Sequence, residues 1–315
     1  MSNLTAPPEA TACAAAPETQ PTVAAYPARP ADLGGGLAVH RALPRRERRL
    51  VGPWCFLDHF GPLVFAAGKP MDVAPHPHIG LQTVTWLVEG EVLHKDSLGN
   101  AQLIRPGQLN LMTAGGGIAH SEETPPAHTG RLHGVQLWTA LPEAQRQGAA
   151  SFAHHPELPT VSLGCGRAVV LMGALAGARS PAKAYSPIIG AELRGERDGR
   201  LEVPLDPAFE HALLPIAGRA TLDGRACDID TLYDLGGGRD RLSLEVAAGA
   251  RLMLIGGAPF GETILMWWNF VARTPEEIAR AREDWEQQRR FGEVAAYAGA
   301  RLPAPPFAGR LKPAS

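Results

Sequence analysis

The sequence predicts an all-β chain of two related antiparallel domains with one helix near its C-terminus. Three observations carry that expectation. Short β-branched and aromatic runs alternate with Gly and Pro turns, strand-like stretches occur in both halves of the chain, and a single segment has helical start signals. The 315 residues suit about two domains. Gly (35) and Pro (29) are plentiful enough to turn many short strands.

In the first half, Leu81 to Val88 reads as a strand closed by the Glu89-Gly90 turn. Turns follow at Leu98-Gly99-Asn100 and Arg105-Pro106-Gly107, and Leu109 to Met112 leads into Gly115-Gly116-Gly117. Gln136 to Thr139 is a further strand. No helix is expected between these strands, which argues for a sandwich or barrel. Pro142 to about Leu158 reads as a linker. Strands then resume at Ala168–Met172, Leu213–Ala217, Arg219–Leu222, Leu242–Val246 and Leu252–Ile255. The stretch from Glu89 to Leu93 resembles that from Ala217 to Leu222, a weak internal repeat that indicates duplicated domains.

The helix starts at Thr274-Pro275-Glu276-Glu277, with an N-cap Thr, a Pro at the first helical position and a capping-box Glu. Ile278, Ala281 and Trp285 share one face, and Gly292 is the expected stop. The expected domains are residues 1–32, a disordered Ala/Pro-rich tail; 33–145, an N-terminal metal-binding domain; and 146–315, a C-terminal domain without metal that includes the helix.

Composition narrows the function. A net charge of −2 gives no reason to expect direct nucleic-acid binding or a membrane-seeking basic face. No secretory pattern or membrane-length apolar run is evident, so a cytoplasmic protein is expected. Cys13, Cys55, Cys165 and Cys227 have neither zinc-knuckle nor disulfide-framework spacing and read as free thiols.

Chemistry concentrates in Ala74-Pro75-His76-Pro77-His78-Ile79-Gly80. Each Pro pushes the residue before it towards extended backbone, so residues i and i+2 share a face and His76 and His78 converge. His120 and Glu122 repeat the spacing. Three imidazoles and a carboxylate suit iron(II), with manganese, nickel, copper and zinc as competitors, and four ligands in an octahedral field leave two positions open. Glu123 should face the other way. Asp58 and His59 read either as groups orienting the ligands or as hydrogen-bonded structural residues. His94 reads as a strand histidine, His133 as pocket-lining or structural, His154-His155 as a solvated linker pair, and His128 as a loop residue.

With those motifs in view, the sequence resembles the pirin family of the cupin superfamily. The likeness rests on Gly52–Pro62, Pro75–Thr85, and Arg105 through Glu122, and is extended by His133–Trp138 and Met266–Val271. The resemblance implies two stacked cupin (jelly-roll) β-barrels and iron held by His76, His78, His120 and Glu122. It also implies quercetin 2,3-dioxygenase activity, since members are linked to it. Other members are regulatory proteins that bind partners, so a non-enzymatic, redox-sensitive iron-binding module is the alternative. Ile79, Gln82 and Gly116 depart from the commonest pattern near the expected pocket mouth. The leading expectation is an iron(II) dioxygenase acting on a flavonol-like aromatic substrate, with Glu122 as general base.

Overall fold

The computed structural model describes residues 9–14, 21–32, 37–65, 71–307 and 311–312. The N-terminal barrel is made of β3 (Arg29–Asp32), β4 (Ala38–Leu43), β5 (Trp54–Val64), β6 (Asp72–His78), β7 (Leu81–Gly90), β8 (Val92–Asp96), β9 (Ala101–Ile104), β10 (Leu109–Thr113), β11 (Ile118–Glu123), β12 (Arg131–Ala140) and β13 (Ser151–His155). Seven strands in the order β13-β10-β7-β12-β5-β4-β3 form one sheet, and β6-β11-β8-β9 form the facing one. The pairings within β5–β13 are antiparallel, as the closely spaced turns require.

The C-terminal barrel repeats the plan. Thr160–Leu163, Gly166–Leu175, Ile188–Gly195, Arg251–Gly257, Glu210–Ala217 and Thr231–Gly236 lie side by side in its large sheet. Gly199–Pro204, Arg241–Val246, Ala220–Leu222 and Arg225–Ala226 form the smaller one. The large sheets of the two barrels stack face to face. Val84, Trp86 and Leu137 from one and Leu171, Leu214 and Met253 from the other belong to one buried cluster. Trp54 Nε1 donates across this seam to the carbonyls of Ile189 (3.0 Å) and Gly256 (3.1 Å).

The segment expected to be a disordered tail is instead built into both barrels wherever it is described. Residues 1–8 and 15–20 lie outside the described residues. β1 (Ala10–Cys13) pairs with Ile264–Trp267, and Ala10 and Cys13 are fully buried. β2 (Pro21–Pro27) extends the C-terminal sheet along Thr231–Gly236, while β3 pairs with β4. Composition misled here because a strand that covers an existing sheet edge gains backbone hydrogen bonds and needs little apolar periodicity of its own. Removing residues 1–32 should therefore lower the melting temperature by about 5–10 °C, from a loss of a few kcal/mol spread over three uncovered edges. Differential scanning calorimetry of the truncated chain checks this; an unchanged melting temperature would show that the edges are stable uncovered.

Two expected boundaries also move. β13 lies in the segment read as a linker, pairs with β10, and places His154 Nδ1 2.7 Å from Asn110 Oδ1 rather than in solvent. The helix α1 (Pro275–Glu286) has the expected N-cap, with Glu277 N–H donating to Thr274 Oγ1 at 3.3 Å. It ends before Gly292, because Gln287 caps it and Gln288 turns the chain at φ 54°. Its buried face of Ile278, Ala281 and Trp285 shares a cluster with Ile79, Ala119 and Phe270. The C-terminal helix is thus packed against the N-terminal barrel, behind β6 and β11.

Candidate metal centre

β6 and β11 pair antiparallel, with His76 opposite His120 and His78 opposite Ile118. The i, i+2 spacing on extended backbone therefore turns all three imidazoles to one side, inside the barrel. Gly80, at φ +70°, ends this run; a Cβ there would lie 2.1 Å from the Val271 carbonyl oxygen. That close approach lets the 269–271 segment run against β6, with Val271 N–H donating to the Ile79 carbonyl at 3.0 Å.

The three rings are only 1 to 3 % exposed, and their donor atoms lie within 4.8 Å of one another. Each ring is oriented through Nδ1. His76 Nδ1 donates to the Ala74 carbonyl at 2.9 Å, and His78 Nδ1 to that of Asn269 at 3.0 Å. For His120 the support is a relay. Asp96 Oδ2 lies 3.1 Å from His94 Nε2, and His94 Nδ1 lies 3.3 Å from His120 Nδ1. A carboxylate can only accept, so His94 donates through Nε2 and accepts at Nδ1 from His120. The network thus assigns the same tautomer to all three rings, with the Nε2 lone pairs free.

These free lone pairs meet. His78 Nε2 and His120 Nε2 are 3.0 Å apart, and neither has a proton to share under this assignment. Two neighbouring ligands on a divalent ion, with bonds of ~2.1 Å at right angles, would also stand ~3.0 Å apart. The residues present therefore fit a divalent transition ion. Burial reinforces the fit by keeping the rings neutral: it pushes His76 down to about 3, and His78 and His120 well below their ordinary value.

Glu122 is also buried, but it stands outside the group formed by the three imidazoles. The pairing of β11 with β6 slips between His120 and Glu122. Across the barrel, the Thr85 hydroxyl lies 3.3 Å from Glu122 Oε1 and 2.9 Å from Gln136 Oε1. Burial raises the Glu122 carboxyl above its ordinary value, with His94 and the Thr85 hydrogen bond opposing it. Glu123 faces the other way and pairs with Lys95 at 2.5 Å. Trp138 meets His78 edge-on at 5.2 Å and stacks on Phe56 at 4.1 Å, giving one flank of the site an aromatic wall.

Other sequence candidates lie elsewhere. Asp58 is bound by Arg41 (2.7 and 2.8 Å), and His59 and His133 face each other. All four cysteines are free and buried. Burial pushes Cys13 up to about 12 and Cys227 to about 11, so neither is a reactive thiolate at neutral pH.

The family assignment rests on both halves of the chain. The Pirin profile matches residues 36–139, and the pirin C-terminal cupin domain matches residues 190–292. The chain belongs to the pirin family. A Pseudomonas aeruginosa pirin relative, named provisionally as a quercetin 2,3-dioxygenase, is 51% identical over 285 residues, 90% of each chain. A pirin-like protein of Caulobacter vibrioides is 38% identical over 84% of this chain and 93% of its own. The crystal structure of a quercetin 2,3-dioxygenase from Acinetobacter baumannii superposes with a TM-score of 0.90 at 44% identity. That match covers 93% of this chain and 98% of that one. The two-barrel cupin architecture expected of a pirin is the one found.

His94, expected to be a strand histidine, does lie on β8 and also supports His120. Replacing His94 with Phe keeps the ring that stacks on Phe152 at 4.4 Å but removes the acceptor for His120 Nδ1. The expected result is a ~10–100-fold weaker metal affinity in competition with a chelator. Unchanged affinity would mean that the relay does not orient His120.

The depressed imidazoles also set an acid limit on the metal-free protein. A histidine whose folded value lies below its unfolded one takes up protons on unfolding. Its contribution to stability is complete above about 6.5 and is lost as pH falls towards the folded value. His76 gives a window from about 6.5 down to about 3, and burial of His211 one down to about 4. Each contributes a slope approaching ~1.4 kcal/mol per pH unit. The raised Glu122 works in the opposite sense, losing stability as pH rises above its unfolded value. Urea unfolding of metal-free protein should therefore show stability falling between pH 6.5 and 4; a flat profile would contradict the assigned neutral rings.

Proposed function

We propose that the chain is an iron(II)-dependent dioxygenase of the quercetin 2,3-dioxygenase type, opening a flavonol or a similar aromatic enol with dioxygen. The observation that carries the reading is the inward-facing Nε2 triad of His76, His78 and His120, each ring fixed through its other nitrogen. The names of the Pseudomonas and Acinetobacter relatives support the substrate class. Glu122 is the proposed fourth ligand and the general base.

The bound ion would polarise the flavonol hydroxyl and carbonyl and supply the one-electron chemistry that dioxygen requires. The protein's residues do the rest. Glu122 is the carboxylate two residues along the same strand from His120, and its raised carboxyl makes it a better proton acceptor than an exposed one. Thr85 holds one of its oxygens, leaving the other to take the proton of the substrate's 3-hydroxyl. Trp138, edge-on to His78 and backed by Phe56, would wall the site on one side for a planar aromatic ligand.

The test is oxygen consumption by iron-reconstituted protein across a panel of flavonols, with occupancy measured in the same samples. Uptake above that of free iron supports the enzyme. No uptake from an occupied site would favour an iron-binding regulatory module.

A further inference from the structure

Away from the triad, the seam between the barrels gathers a second set of metal-binding side chains. His40 on β4 stands directly opposite His59 on β5, so both rings leave the sheet on the same face. From the C-terminal barrel comes Asp230, in the turn before Thr231–Gly236, at φ 60°. Its backbone is tied at both ends: its N–H donates to the Pro215 carbonyl at 3.1 Å, and its carbonyl accepts from Ala28 N–H at 2.6 Å. The carboxylate then sits between the rings, with Oδ2 2.5 Å from His40 Nδ1 and Oδ1 2.6 Å from His59 Nδ1. The donor atoms of the three residues lie within 4.8 Å of one another.

We infer that His40, His59 and Asp230 form a second divalent-metal site, of the kind zinc occupies, joining the N-terminal barrel to the C-terminal one. Two imidazole nitrogens and a carboxylate oxygen are a common protein donor set for zinc, with water completing the tetrahedron. Ligand atoms on one tetrahedral zinc lie ~3.3 Å apart, so the present N···O contacts need open by less than ~1 Å. The His40 side chain is 48 % exposed and that of Asp230 22 %, which gives an ion and its water a way in. The donors carry one negative charge, which zinc converts to one positive charge.

A supporting residue is already in place behind the site. His59 Nε2 lies 2.8 Å from His133 Nε2. His133 is buried beside it, and a neutral imidazole offers one nitrogen that can accept. His59 can then carry its proton on Nε2, donate it to His133, and turn a bare Nδ1 towards the ion. The arrangement matches the triad's logic, in which the far nitrogen of each ring fixes the near one. It differs in position, straddling two barrels, and in having a hard oxygen donor beside open solvent.

The experiment uses metal-stripped full-length protein titrated with zinc chloride, followed by desalting and elemental analysis. Wild type should retain two zinc ions per chain. His40→Ala and Asp230→Asn should retain one, and His120→Ala should retain the seam zinc while losing the other. His40 is half exposed, and Asn tolerates the left-handed backbone at position 230, so both seam variants should fold. On wild type alone, saturating zinc should protect His40 from diethyl pyrocarbonate, read by peptide mapping. The inference is overturned if wild type binds a single zinc that His120→Ala removes and Asp230→Asn does not. It is equally overturned if zinc leaves His40 as reactive as before. A wild type that retains only one zinc, which Asp230→Asn removes and His120→Ala does not, would count against the proposed enzyme and leave the seam site standing.

Discussion

Replacing His120 by Ala should reduce iron bound per chain from about one to near zero, and His78→Ala should do the same. Each removes one of three inward nitrogens, and the rest of the site cannot substitute for it. Glu122 already stands outside the group, and the nearest other ring, His94, is engaged by Asp96 on one side and His120 on the other. The loss should exceed the ~10–100-fold expected when only a supporting hydrogen bond is removed. It has a thermodynamic counterpart. A metal that binds only the folded state at 100 times its Kd stabilises by ~2.7 kcal/mol, so wild type should melt later when loaded with iron. Both variants should lose that shift. The measurements are elemental analysis and paired melting curves with and without iron. Full iron retention in either variant would remove that residue from the ligand set.

The convergence of His76, His78 and His120 was legible because its cause is local. Proline before and between His76 and His78 forces extended backbone, and extended backbone fixes which side chains share a face. The supports of those rings were legible only in part. His94-Lys95-Asp96 has the same i, i+2 spacing as the ligand pairs, and that was the available signal for the relay behind His120. The Asn269 carbonyl gave no signal, because a backbone oxygen 191 residues from His78 leaves no mark in side-chain spacing. Met266–Val271 was visible as a motif without a role. The structure gives it one, holding β6 and presenting that carbonyl.

Long-range packing was the harder part of the fold. The apolar stripe of α1 could be read from Ile278, Ala281 and Trp285, but a stripe does not say which surface it covers. Ile79 and Ala119 of the N-terminal barrel turned out to belong to that surface. The first 32 residues show the same limit. Their described strands are specified by the edges they complete, at Ile264–Trp267, Thr231–Gly236 and β4, and those edges exist only once the barrels are formed. The described strands of the N-terminal segment are thus woven into the body that holds the triad.

Glu122→Gln should separate metal binding from turnover. The substitution is nearly isosteric and keeps an amide oxygen able to accept the Thr85 hydrogen bond, so the fold and the three-histidine site should persist. What disappears is the ability to take a proton. If Glu122 is the base for the flavonol 3-hydroxyl, turnover should fall by ~10²–10⁴-fold, while iron content stays within about twofold of wild type. The pH profile provides a second reading. Wild-type kcat/KM should decline on an acid limb as the base becomes protonated, with burial pushing that limb up and a bound cation pulling it down. The glutamine variant should lack that limb, since an amide does not titrate there. A change in Thr85 or Gln136 packing alone could reduce the rate but would leave the limb in place. Retention of both the wild-type rate and its acid limb in Glu122→Gln would remove Glu122 from the proton transfer and leave it, at most, a ligand to the metal.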